Sequence, residues 1–103
     1  MHPLVHVASK AALLHRSRID IIANILLAAN EGAKKTHIMY KCNLSFKQLH
    51  AYLKFLVEVE LLSLVNEKTE TDESFVLYET TKKGQSFLKT YKSLKALLSP
   101  NSS

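Results

Sequence analysis

Lys47, Gln48, His50, Ala51 and Lys54 fall at spacings that gather them on one side of a helix, and their types suit contact with nucleic-acid bases. A glutamine amide donates and accepts in one plane, which matches the adenine edge. A lysine ammonium reaches guanine or phosphate. Leu49, Leu53, Leu56 and Glu60, flanked by Tyr52, follow the 3.6-residue period on the other side, so the segment has an inward and an outward face. Ser45 with Gln48 three residues on forms a capping box, which predicts a helix over 45–60 and places Ser45 at the polar end of the outward face.

A second basic group precedes it. Lys34, Lys35, Thr36, His37 and Lys41 stand on or beside a shorter helical pattern over 35–42, whose inner face is Ile38, Met39 and Cys42. At a helix start, backbone amides and the helix dipole favour phosphate, so these residues would position a nucleic acid and the later set would read it. Arg16 and Arg18, at the start of an earlier helix, can add to the phosphate contacts. Asn43-Leu44 breaks the pattern between the two sets, and two helices joined by so short a turn outline a helix-turn-helix.

Other elements must hold this unit. Ser17 and Asp20 cap a helix that runs through Ile19, Ile22, Ala23, Leu26 and Ala29 to Asn30, with Gly32 as its stop. Ile21, Ile25 and Ala28 make a second apolar side on that helix, which the N-terminal stretch, the last helix or another subunit must cover. Segments 61–66 and 75–79 read as strands around a polar loop at 68–74, a β-hairpin. Thr80 or Thr81 then caps a helix to about Leu98, with Gly84 in its first turn marking close packing. The expected fold is mainly α with a small β-hairpin (α+β): a winged helix-turn-helix over 16–80 and a C-terminal dimerisation helix over 81–98. An N-terminal arm or short helix (1–15) precedes it and a disordered tail (99–103) follows.

The 103-residue length suits one domain, and the net charge of +5 is unevenly spread: +6 over 1–57, −6 over 58–79 and +5 over 80–103. Basic surface attracts phosphate by releasing counterions. The acidic hairpin repels it, so the wing is expected to stay out of the minor groove and either to lie along the backbone through Lys68, Thr69 or Thr71 or to serve as a protein-contact or spacing element. No run nears the roughly 20 apolar residues of a membrane span. The apolar N-terminal stretch is interrupted by His6, Ser9 and Lys10 and lacks a preceding basic residue, unlike a signal peptide. A cytoplasmic, nucleoid-associated protein is expected. The lone Cys42 reads as core, the five histidines keep no metal or triad spacing, and Gly32 and Gly84 are too isolated to cradle a phosphate. No catalytic residue, metal, cofactor or small-molecule substrate is expected, and no enzymatic activity.

Arg16-Ser17-Arg18 leads to Ile22-Ala23-Asn24-Ile25-Leu26. Lys34-Lys35-Thr36-His37-Ile38-Met39-Tyr40, Asn43-Leu44-Ser45, Leu49 and Tyr52-Leu53 follow, and Tyr78-Glu79-Thr80-Thr81-Lys82-Lys83-Gly84 with Phe87-Leu88 completes the set. Together they resemble the archaeal single-domain winged-helix DNA-binding proteins, small transcription-regulator-like and chromatin-associated chains. The resemblance implies duplex DNA binding through the second helix of the motif and a homodimer built on the last helix. Phe87, Tyr91, Leu94 and Leu98 form the seam on that helix, and Ile21 and Ile25 could extend it. The chain departs from the family pattern in a shorter last helix and in Val59-Glu60-Leu61-Leu62, which has no glycine where the helix meets the strand.

The expected function is sequence- or shape-dependent duplex DNA binding, for transcription regulation or DNA organisation. The alternative is a winged-helix protein-interaction module that uses the acidic wing and the apolar helix seams.

Overall fold

The computed structural model describes residues 16–68 and 74–100, with the side chains of Glu67, Lys68 and Ser74 set aside. The expectations for the N-terminal arm, the wing loop and its acidic tip, and the last three residues of the tail lie outside that range. Helix α1 (Arg18–Ala28) starts with a reciprocal box: Ser17 Oγ accepts from the Asp20 amide at 3.1 Å, and Asp20 Oδ2 accepts from the Ser17 amide at 3.2 Å. It packs between α2 (Lys35–Cys42) and the C-terminal helix α4 (Lys82–Leu97), which together cover its second apolar side.

This placement corrects one expectation. Ile25 is fully buried inside the protomer and is unavailable to a partner subunit, because its own chain surrounds α1. Ile21 is partly buried against the same core. The core gathers Ile25 and Leu26 with Ile38, Cys42, Leu49, Leu53, Leu56 and Leu62. Cys42 is a core residue, and its burial pushes the thiol pKa up.

Two helix ends use the left-handed conformation without glycine. Asn43 (φ 53°) closes α2, and Glu60 (φ 65°) closes α3 (Phe46–Glu58), where a glycine had been the expected choice. Both are Schellman closures. The Leu44 amide donates to Met39 O at 3.2 Å and the Leu61 amide to Leu56 O at 2.9 Å. The bonds and the burial of Leu44 and Leu61 offset the strain that a side chain feels at positive φ. Glu60 therefore lies outside α3, is exposed, and does not continue the leucine stripe.

Strands β1 (Leu62–Lys68) and β2 (Ser74–Thr80) pair antiparallel from Leu62↔Thr80 to Lys68↔Ser74. They are slightly longer than the sequence implied. Ala33 exchanges two backbone bonds with Tyr78, at 3.0 and 2.8 Å, so the linker before α2 acts as a one-residue third strand. Thr80 donates to Leu26 O, while Thr81 caps α4 by accepting from the Gly84 amide and donates to Glu60 O. The two threonines thereby tie the hairpin and α4 to α1 and α3.

Helix α4 folds back on α1. Tyr91 donates its hydroxyl to Asp20, Gln85 donates to Asn30, and Lys95 Nζ lies 3.6 Å from Asp20. The Tyr91 bond, then the Ser17 side-chain and backbone bonds, lower the Asp20 pKa from 3.8 to about 2. The same contact raises the Tyr91 phenol from 10 to about 12. A carboxyl whose pKa falls on folding stabilises the fold above its unfolded pKa and loses that contribution as pH drops through the folded value. Asp20→Asn is expected to lower the melting temperature at neutral pH but not at the lowest pH. Melts followed by circular dichroism from pH 6 to 2 should therefore converge, and parallel curves would show that Asp20 carries no such linkage.

Candidate nucleic-acid interface

Helix α3 stands as a ridge between two depressions. On one side Gln48 and Ala51 border a hollow shared with Arg18, Ile22, Tyr52 and Phe55. On the other, His50 and Lys54 border a hollow shared with Leu53, Val57, Glu58 and the hairpin residues Leu64 and Tyr78. Lys47, His50, Ala51 and Lys54 are all exposed, so the outward face read from the periodicity is present as a surface.

Ser45 and Gln48 are the exceptions to a simple reading. Ser45 Oγ accepts from the Gln48 amide at 3.1 Å, and Gln48 Oε1 accepts from the Ser45 amide at 3.0 Å. The glutamine carbonyl is already engaged as the cap. A two-point contact with adenine would compete with it, which leaves the side-chain NH₂ as the free donor.

Around α2 the basic residues surround a helix start that has no side-chain cap and no acidic residue in its first turn. Lys34, Thr36, His37 and Lys41 are exposed, and Lys35 is partly so. Backbone amides without a side-chain cap and nearby ammonium groups suit a phosphate. Lys34 Nζ sits 4.3 Å from the ring centre of Phe75, and Lys35 Nζ sits 5.1 Å from that of Phe46.

The two arginines separate. Arg18 is exposed beside the hollow along α3, whereas Arg16 is committed to the fold: its Nη1 donates to Cys42 O at 2.6 Å and its Nη2 to Asn43 O at 3.2 Å. Arg16 satisfies carbonyls at the end of α2 and ties the start of α1 to the turn, so its guanidinium is engaged within the fold where a phosphate contact was expected.

Of three exposed aromatics, Tyr40 and Phe55 are the two the sequence offers for stacking bases, and Phe46 is the one it missed. Phe46 is 61% exposed, Phe55 49% and Tyr40 81%, and the Phe46 ring stacks on His50 with centres 6.2 Å apart. Phe46 lies off the stripe of Leu49, Leu53 and Leu56, and that offset is the signal that could have placed it on the surface.

The seam expected on α4 divides. Phe87 and Tyr91 stack on each other with centres 6.4 Å apart and are partly buried, with Tyr91 held by Asp20 of the same chain. Leu94 and Leu98 remain on the surface, joined by Leu97. Among the described residues no cluster of three or more His, Cys, Asp or Glu side chains gathers, and no helix is long and apolar enough to cross a membrane.

Three solved structures share this architecture. Sso10a-2, a DNA-binding protein from Sulfolobus solfataricus, superposes with a TM-score of 0.65 at 26% identity, over 80% of this chain and 81% of its own. A PadR-like transcription factor from Bacteroides fragilis gives 0.61 at 22% identity, over 91% and 90%. A possible transcriptional regulator from Methanosarcina mazei Go1 gives 0.53 at 16%, over 91% and 82%. The last two speak to the fold alone. No curated protein matches the sequence. The winged helix-turn-helix family profile matches residues 15–99, the span that holds the capped helix pair, the hairpin and α4, and the chain belongs to that family.

Proposed function

We propose that this protein binds duplex DNA as a homodimer, with α3 in the major groove and the start of α2 on the phosphate backbone. The observation that carries the reading is the α3 ridge itself, capped at its start and outwardly Lys47, His50, Ala51 and Lys54. The likeness to Sso10a-2, a DNA-binding protein, supports it. The role is transcription regulation or DNA organisation on the nucleoid, without enzymatic activity. Lys47 and Lys54 contact bases or phosphates, while Lys34, Lys35, Thr36, His37, Lys41 and Arg18 set the register. Fluorescence anisotropy of a labelled mixed-sequence duplex, titrated across a salt series, tests it: tight binding at low salt that weakens steeply is the expected result.

The dimer uses the exposed end of α4 around Leu94 and Leu98, with Ile21 at its margin. Helix α4 carries five lysines and no carboxylate, so two copies repel each other across the seam. Self-association should therefore strengthen with salt while DNA binding weakens. Leu94→Glu with Leu98→Glu is expected to give a monomer in sedimentation equilibrium; a variant that stays dimeric would place the interface elsewhere. The rival reading, a protein-contact module, draws on the −6 charge of residues 58–79 and on the exposed leucines of α4. It gains if duplex binding is absent at low salt.

A further inference from the structure

We propose a second nucleic-acid activity: the groove between the hairpin and the α2–α3 pair binds single-stranded nucleic acid by stacking unpaired bases on the exposed Phe46 and the half-buried Phe75. Two hollows form this groove. One is lined by Lys34, Lys35, Thr36, Phe75 and Val76, the other by His50, Leu53, Lys54 and Val57, and both include Leu64 and Tyr78. These two residues are a common floor that makes the hollows one track.

The track shares His50 and Lys54 with the outward face of α3 but adds an apolar floor and aromatic rims that the rest of that face lacks. Leu64 is 53% exposed and Val76 42%, and at the rim Phe46, 61% exposed, lies flat against His50. Phe75 and Phe46 each carry a lysine ammonium over the ring, one from Lys34 and one from Lys35. An apolar floor offers nothing to the phosphate exterior of a duplex, whose bases are turned inward. An unpaired base presents a π face to such rings, and its phosphate finds an ammonium beside it.

Charge favours the same occupant. Among the described residues the hollow at the start of α2 is lined by two lysines and no carboxylate, and Glu58 lines the other hollow. A single strand carries one backbone and follows the lysine side, whereas a duplex would bring a second backbone over the apolar floor. An acidic peptide would satisfy the lysines but would leave the rings without flat partners.

The test uses the full chain and Phe46→Trp, since the protein has no tryptophan and the new indole is the sole reporter. Titration with oligothymidylate of about fifteen nucleotides, within the range of single-strand site sizes, should quench its emission as bases stack. Phe46→Leu and Phe75→Leu, each checked for an unchanged melting profile, are expected to weaken oligothymidylate binding about tenfold per ring. Duplex affinity should fall several-fold less than oligothymidylate affinity, since the rings touch a duplex only through Lys34 and Lys35 while stacking requires unpaired bases. Oligodeoxyuridylate and oligouridylate, which differ only in the 2′-hydroxyl, are run in parallel and separate the sources: equal binding assigns a site blind to that hydroxyl, and a preference names the natural ligand as DNA or RNA. Unquenched emission at saturating oligonucleotide, or full affinity in both leucine variants, would overturn the proposal. The groove shares Lys34, Lys35, His50 and Lys54 with the proposed duplex face, so the two readings are told apart by Lys47, which lines neither hollow and tests duplex binding, and by the rings, which test single-strand stacking.

Discussion

Duplex affinity is expected to fall roughly a thousandfold or more between about 50 and 200 mM salt, because the proposed dimer, if it neutralises about six to ten phosphates, releases that many counterions on binding. Lys47→Ala with Lys54→Ala should flatten this dependence. Each lysine that contacts phosphate adds about 0.9 to the slope of log affinity against log salt. A dimer carries both residues twice, so the double variant should lose about three to four units of slope if all of them touch the backbone. Lysines that read guanine instead would cost affinity on the preferred site and little on mixed sequence. Both side chains are exposed on the outward turns of α3, so their removal leaves the core untouched. Anisotropy titrations of wild type and variant across the salt range decide the matter. An unchanged slope and affinity would show that α3 is not the DNA-facing helix.

Gly84→Ala is expected to destabilise the fold by about 2 kcal/mol, the middle of the range for overpacking, and to lower the melting temperature by about 10 °C. A Cβ at this position would lie 2.5 Å from the Leu61 carbonyl oxygen and 2.5 Å from Thr80 Cγ2. Neither neighbour is free to move. The Leu61 oxygen accepts from the Thr81 amide at 3.1 Å, and Thr80 is buried with its hydroxyl bonded to Leu26 O. The better helix propensity of alanine, about 1 kcal/mol, offsets only part of the clash. Relief by lifting α4 would stretch the Thr81 bond to Glu60 O and the Lys83 bond to Val59 O, at 2.6 and 2.8 Å. Thermal and urea denaturation followed by circular dichroism measure the cost. A neutral or stabilised variant would mean that α4 does not approach the strand so closely.

Gly84 also shows how much of the fold was legible in the sequence. A glycine in the first turn of a helix goes against propensity, and that conflict announced close packing before any contact was seen. The same holds for the caps. Ser17 with Asp20 and Ser45 with Gln48 are local signals, complete within four residues, and both formed as their spacing implied. The helix pair, the hairpin and the last helix followed from periods of 3.6 and 2, which are properties of neighbouring residues.

Features that depend on distant residues were not legible. Ile25 was assigned to a subunit interface because a helix that is apolar on two sides needs two covers, and periodicity cannot say whose chain supplies them. The structure supplies α2 and α4, and Ile25 is core. Arg16 looked like a phosphate ligand until the end of α2, some 26 residues on, took its guanidinium. Tyr91 looked like part of a dimer seam, and its hydroxyl reaches Asp20 instead.

By itself, then, the sequence determined the type of each element, its caps, and the inward and outward faces of the helix-turn-helix, since each depends on residues within one or two helical turns. Only tertiary structure decided which polar groups were already engaged, which apolar faces were covered by the same chain, and that Phe46 and Phe75 each meet a lysine beside an apolar groove. Those outcomes depend on the angles at Asn43 and Glu60. Backbone rotations at two positions set where whole helices point, and no local pattern of side chains encodes that direction.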